Sequence, residues 1–196
     1  NTAEEGGGLF DVGNSTLSDS TLSGNMANVG GGLLQVSGTM LISGLTAHRN
    51  IGFVGGAIHN GPSLDGLLGA TFITPTMQII DSEIAFSNND PRFDVSAGGG
   101  GGIANGLAGT LAISRTSVFS NAGGIGAGVL SYFGGETTVF DSDIYDNVSQ
   151  FETVEFGGGG LAVYLASAEL INSNIYANRA ISATGGGIIV GGGYLT

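Results

Sequence analysis

The chain has no cysteine, no lysine and no tryptophan, and only three prolines in 196 residues. Without cysteine, disulfides and thiolate metal sites are excluded. Without lysine there is no Walker A site. The four cations are Arg49, Arg92, Arg115 and Arg179, against sixteen acids. A net charge of −12 repels phosphate backbones and anionic membranes, so nucleic acid and membrane surfaces are not expected partners. No apolar run reaches spanning length, and no signal peptide is visible.

Glycine dominates what is present, with 39 residues. High glycine can mark a disordered linker. Here 41% of residues are hydrophobic and 10% charged, which points instead to a packed chain with many tight corners. The glycines recur as a block before an aliphatic residue: Gly6-Gly7-Gly8-Leu9, Gly30-Gly31-Gly32-Leu33, Gly100-Gly101-Gly102-Ile103, Gly158-Gly159-Gly160-Leu161 and Gly185-Gly186-Gly187-Ile188. Gly55-Gly56-Ala57-Ile58 and Gly126-Ala127-Gly128-Val129 are variants, making seven copies.

A second block ends on Asn25, Asn50, Ser87, Asn121, Asn147 and Asn178. Three residues earlier stand Leu22, Ala47, Ile84, Val118, Ile144 and Ile175. Five residues earlier stand Ser20, Leu45, Ser82, Thr116, Ser142 and Ser173. The copies are 25, 37, 34, 26 and 31 residues apart, with extra residues near 59–78, 88–97 and 148–156 that read as loops.

Short β-branched runs and glycine corners at this period predict an all-β fold, a right-handed parallel β-helix of about seven coils. Each coil has two or three strands and buries its apolar face by stacking on the next at about 4.8 Å. Repeated slots then become ladders, with Asn25, Asn50, Asn121, Asn147 and Asn178 forming a structural one. Residues 1–196 read as a single β-helix domain, opening and closing mid-coil as a piece of a longer repeat protein.

Gly55-Gly56-Ala57-Ile58 and Phe86-Ser87-Asn88-Asn89 match the paired GGAI and FxxN motifs of polymorphic outer-membrane-protein and autotransporter-passenger repeats. The other copies carry GGGL or GGGI and a bare asparagine. The chain therefore resembles those bacterial-surface β-helices. The resemblance implies an extracellular or cell-surface location and an adhesive role, and transfers no catalytic residue.

Charged and aromatic slots supply the candidate sites. Asp81, Arg115 and Asp141 share one slot, so stacking puts the arginine between two carboxylates in a charge ladder. Phe119, Tyr145 and Tyr176 share another and face outward, as a carbohydrate-binding stack or a stabilising aromatic ladder. Asp81, Glu83, Asp141, Asp143 and Asp146 read as a solvated acidic face rather than a calcium site, which needs about six converging oxygens. His48 and His59 read as satisfied surface histidines. Neither a metal nor a cofactor is expected. Asn14-Ser15-Thr16 and Asn147-Val148-Ser149 fit the glycosylation pattern.

The leading reading is a non-catalytic structural or adhesive protein that meets glycans or other surface proteins. The alternatives are a polysaccharide lyase or hydrolase of the pectate-lyase-like type, and a subunit of an extracellular filament or layer joined end to end. Ice binding is disfavoured, because Thr16, Leu41, Gln78, Ala112, Thr138 and Glu169 make an irregular row.

Overall fold

The computed structural model describes residues 1–62, 74–89, 99–150, 157–181 and 184–196. Among these the regular structure is entirely strand, and every pairing between named strands is parallel. The chain is a parallel β-helix. Each full coil has four short strands rather than two or three.

Sheet I stacks Leu9–Asp11, Leu33–Gln35, Ile58–Asn60, Ile103–Gly106, Val129–Tyr132, Leu161–Tyr164 and Ile188–Gly191. Sheet II stacks Ser15–Ser18, Thr39–Ser43, Thr76–Ile80, Thr110–Ser114, Glu136–Phe140, Ser167–Ile171 and Tyr194–Leu195. Sheet III runs from Thr21–Ser23 through Thr46–His48, Glu83–Ala85, Ser117–Phe119 and Asp143–Tyr145 to Asn174–Tyr176. Sheet IV has the shortest strands, from Met26–Val29 to Arg179–Ala180. Of the three expected loops, the described margins include strand residues such as Ile58–Asn60, Thr76–Ile80, Asn88–Asn89 and Val148–Ser149. Residues 63–73, 90–98 and 151–156, which make up most of them, lie outside the described residues.

The fourth strand follows from corners that carry no recurring glycine, only Gly44 and Gly24 among twelve. Between sheets II and III each coil turns on a residue with positive φ: Asp19, Gly44, Asp81, Arg115, Asp141 and Asn172. Between sheets III and IV it turns on Gly24, Arg49, Phe86, Ser120, Asp146 and Ala177. All twelve have φ between 44° and 64°. A non-glycine residue there costs roughly 1–2 kcal/mol.

The next residue in every one of these corners but that of Leu45 is polar and offsets that cost through a ladder. Ser142 Oγ donates to Phe140 O at 2.8 Å and accepts Thr116 N–H of the preceding coil at 3.2 Å. Thr116 and Ser82 repeat the arrangement one coil back each. Each bond ties a corner to its neighbour, so the strain is held by the stack.

The corner between sheets IV and I does use glycine. The first residue of each block has φ between 57° and 75°. At the third place Gly32 allows close approach, since a Cβ there would lie 2.6 Å from Ala57 O, although the next coil accommodates Ala57 itself at that place.

The interior is a column of aliphatic rungs. Leu33, Ile58, Ile103, Val129 and Leu161 of sheet I face Ile42, Ile79, Ile113 and Val139 of sheet II, with Ala47, Ile84, Val118 and Ile144 of sheet III completing the core. The predicted aliphatic slot is in register from Leu22 to Ile175 and is buried at its four central rungs. Burying each large side chain contributes about 1.5–3 kcal/mol.

Candidate recognition face

Because side chains alternate along a strand, sheet III sends every second residue outward. One outward row is Thr21, Thr46, Glu83, Ser117, Asp143 and Asn174, and the other is Ser23, His48, Ala85, Phe119, Tyr145 and Tyr176. The two positive-φ corner columns flank these rows. The result is one lateral face bearing Asp81, Glu83, Asp141, Asp143 and Asp146, with Arg115 among them.

Phe119 and Tyr145 have ring centroids 4.9 Å apart and planes 3° from parallel, and Tyr145 and Tyr176 follow at 5.0 Å and 2°. Phe86 meets Phe119 edge-on at 5.7 Å. The ring faces inside this stack are turned to one another, so the surface receives ring edges. Rings stacked on one another in this way form an aromatic ladder, which ends on the half-exposed Tyr176. The Tyr145 hydroxyl is pushed above its ordinary pKa by partial burial and then by Tyr176, Glu83, Asp146 and Asp143. Asn174 Nδ2 donates to Asp143 Oδ1 at 2.9 Å beside the stack.

In the charge column, Arg115 Nε and Nη2 donate to the two oxygens of Asp81 at 2.7 and 3.0 Å. Both side chains are more than half exposed. Asp141 is in register one rung on but makes no ion pair with Arg115, and adds only its charge to the arginine's surroundings. The expected sandwich is thus a fork on one carboxylate. Arg115 holds the Asp81 carboxyl below the usual carboxylate range.

The asparagines point inward. Asn25 Nδ2 donates to Asn50 Oδ1, Asn121 Nδ2 to Asn147 Oδ1 and Asn147 Nδ2 to Asn178 Oδ1, each at 3.0 Å. The backbone N–H of the first residue donates to the same oxygen in every pair. Ser87 bridges the gap, its Oγ accepting Asn50 N–H while its own N–H donates to Asn121 Oδ1. Asn147 is fully buried with its amide nitrogen engaged, so its glycosylation motif is closed, whereas Asn14 is exposed.

The histidines separate. His48 lies on the sheet III face, with Nδ1 3.5 Å from Ser23 Oγ. His59 is not the satisfied surface residue expected from the sequence. It is 1% exposed and neither ring nitrogen meets hydrogen-bond geometry, although the Gly61 and Pro62 backbone lies beside the ring. Burial pulls its pKa down to about 4. The outward side of sheet I, which stacks Leu34, His59, Ala104, Leu130 and Ala162, is itself buried. Tyr132 packs 6.1 Å from His59, across the space left by Gly106. Burial pushes the Tyr132 hydroxyl well above its ordinary pKa.

Sequence reasoning missed a second polar ladder, made by the third residue of successive sheet I strands: Asp11, Gln35, Asn60, Asn105 and Ser131. A polar residue two places after the aliphatic residue that follows the first five glycine blocks was its visible signal, whereas the last two copies carry Val163 and Val190. Among the described residues no three His, Cys, Asp or Glu side chains gather as a metal-binding group. A scan against protein families, a search of curated proteins and a search of solved structures each find no match to the chain.

Proposed function

We propose that this chain is a non-catalytic stretch of an extracellular, surface-displayed β-helix, of the bacterial polymorphic outer-membrane or autotransporter-passenger kind. Its role is to hold the sheet III face rigid for adhesion. One observation carries the reading: the carboxylates of that face are spaced along the axis on alternate rungs, Asp81 and Glu83 on one and Asp141, Asp143 and Asp146 two rungs on, beside an aromatic stack. Such a row meets an extended partner through many weak contacts, whereas acid–base catalysis needs groups converging on one bond. The negative row favours neutral or amino-bearing glycans and basic protein surfaces.

The test is binding of immobilised chain to a panel of neutral, amino-bearing and anionic polysaccharides. Binding to the first two, weakened by salt and by the Glu83→Ala, Asp143→Ala pair, is the expected result. Release of unsaturated or reducing ends from any polysaccharide would establish the lyase or hydrolase alternative instead. Binding unchanged by the paired substitution would move recognition off this face.

A further inference from the structure

The chain holds two Asn-X-Ser/Thr motifs, Asn14-Ser15-Thr16 and Asn147-Val148-Ser149. In such a motif the asparagine amide nitrogen is the acceptor of a sugar, and the hydroxyl two residues on completes the signal. Along a strand, residues two apart share a side, about 7 Å from one another. Amide and hydroxyl are therefore presented together or hidden together. The two motifs fall on opposite sides of the β-helix wall.

Asn147 and Ser149 face inward, and both are 0% exposed. Asn147 Nδ2 donates to Val118 O and Asn178 Oδ1, which uses both its hydrogens, and Ser149 Oγ donates to Gly124 O. A sugar on this nitrogen would remove one hydrogen and leave a buried acceptor unpaired.

Asn14 and Thr16 have the other parity. Ser15 pairs with the buried Met40 and donates inward to Asp11, so Thr16, beside the exposed Leu41, faces solvent. Asn14 stands just before this strand, at the corner between sheets I and II, and is exposed like Thr16. That exposure belongs to the face. Thr39 and Thr110, in the same column with a coil on either side, are exposed as well. Asn14 Oδ1 accepts Thr39 N–H at 2.9 Å, and Nδ2 donates to no protein group among the described residues. A sugar on Nδ2 leaves the Oδ1 bond in place. A side chain added at Gly13 would meet nothing within 4 Å, so the corner is open beside the amide.

We propose that Asn14 is a site of N-linked glycosylation, with a sugar nucleoside diphosphate as the donor. Asn14 Nδ2 forms a bond to the anomeric carbon as the bond from that carbon to the diphosphate oxygen breaks. The nucleoside diphosphate leaves with the electron pair, and the amide proton passes to a base of the transferase. Nothing is oxidised or reduced. The modification is additional to the adhesive reading and does not rest on it.

The experiment incubates the folded 196-residue chain with a soluble N-glycosyltransferase that recognises this motif and with uridine-diphosphate glucose. Intact mass and peptide mapping give the readout. The expected result is one hexose per chain, on Asn14. Asn14→Gln and Thr16→Ala should abolish it, and Thr16→Ser should retain it, with circular dichroism showing each variant folded. Short peptides carrying either motif should both be modified, because only the fold separates them. A folded chain that stays unmodified while the Asn14 peptide reacts would show the corner closed and overturn the proposal. So would a hexose on Asn147 of the folded chain. An unmodified chain that still binds polysaccharide would sink this assignment and leave the adhesive reading standing.

Discussion

Tyr145 sits between Phe119 and Tyr176, its ring within 3° of parallel to both and its centroid 4.9 and 5.0 Å from theirs. Tyr145→Ala removes both contacts at once. Each stacked pair contributes about 0.5–1.5 kcal/mol, so the expected loss is roughly 1–3 kcal/mol in urea unfolding. Tyr145→Phe keeps both contacts and should stay near wild type. Unchanged stability in Tyr145→Ala, with sugar binding abolished, would restore the carbohydrate platform.

The Asn147 side chain supports four bonds across three coils. Its oxygen accepts from Asn121 N and Nδ2, and its nitrogen donates to Val118 O and Asn178 Oδ1. Asn147→Ala leaves these groups buried and unpaired and should cost on the order of 3 kcal/mol or more. Asn147→Ser should be milder, since Ser87 already accepts a backbone N–H in this column. Denaturant midpoints in the order wild type, serine, alanine check this, and equal midpoints for the two variants would contradict it.

His59 makes the fold sensitive to acid. Unfolded, its imidazole binds a proton near pH 6.5; folded, only near pH 4. Between those values the unfolded chain carries more protons, so stability is full above pH 6.5 and falls as pH drops toward 4. The span corresponds to roughly 3 kcal/mol. Subtracting the pH profile of His59→Leu from that of wild type should isolate a slope confined to that window. A difference flat from pH 7 to 4 would show that the ring is not held neutral.

The Arg115–Asp81 fork is exposed and acts in water. Arg115→Ala should fold normally, with a Tm slightly lower at low salt and a loss that shrinks as salt rises. Asp141→Asn should change less than Asp81→Asn, because only Asp81 receives the guanidinium. Thermal scans at two ionic strengths separate the cases, and an Asp141→Asn effect as large as that of Asp81→Asn would show the arginine shared.

The repeat itself was legible in the chain. Glycine blocks and the asparagine slot recur in fixed order, and parallel stacking brings like residues together, so the rung pairings from Leu22 to Ile175 and the outward turn of Phe119, Tyr145 and Tyr176 follow from spacing alone. Four strands per coil did not follow, because Asp81, Arg115, Phe86 and Ser120 take a backbone conformation that their side chains do not announce. The stack imposes it by pairing each corner to the next. Register made Asp81 and Asp141 equivalent neighbours of Arg115, and only the side-chain path chose between them. His59 reads like His48 along the chain, yet lies buried because the outer side of sheet I is packed away while that of sheet III meets solvent. One-dimensional spacing determines which residues share a rung. Which side of a rung is dry depends on neighbours that only the folded stack supplies.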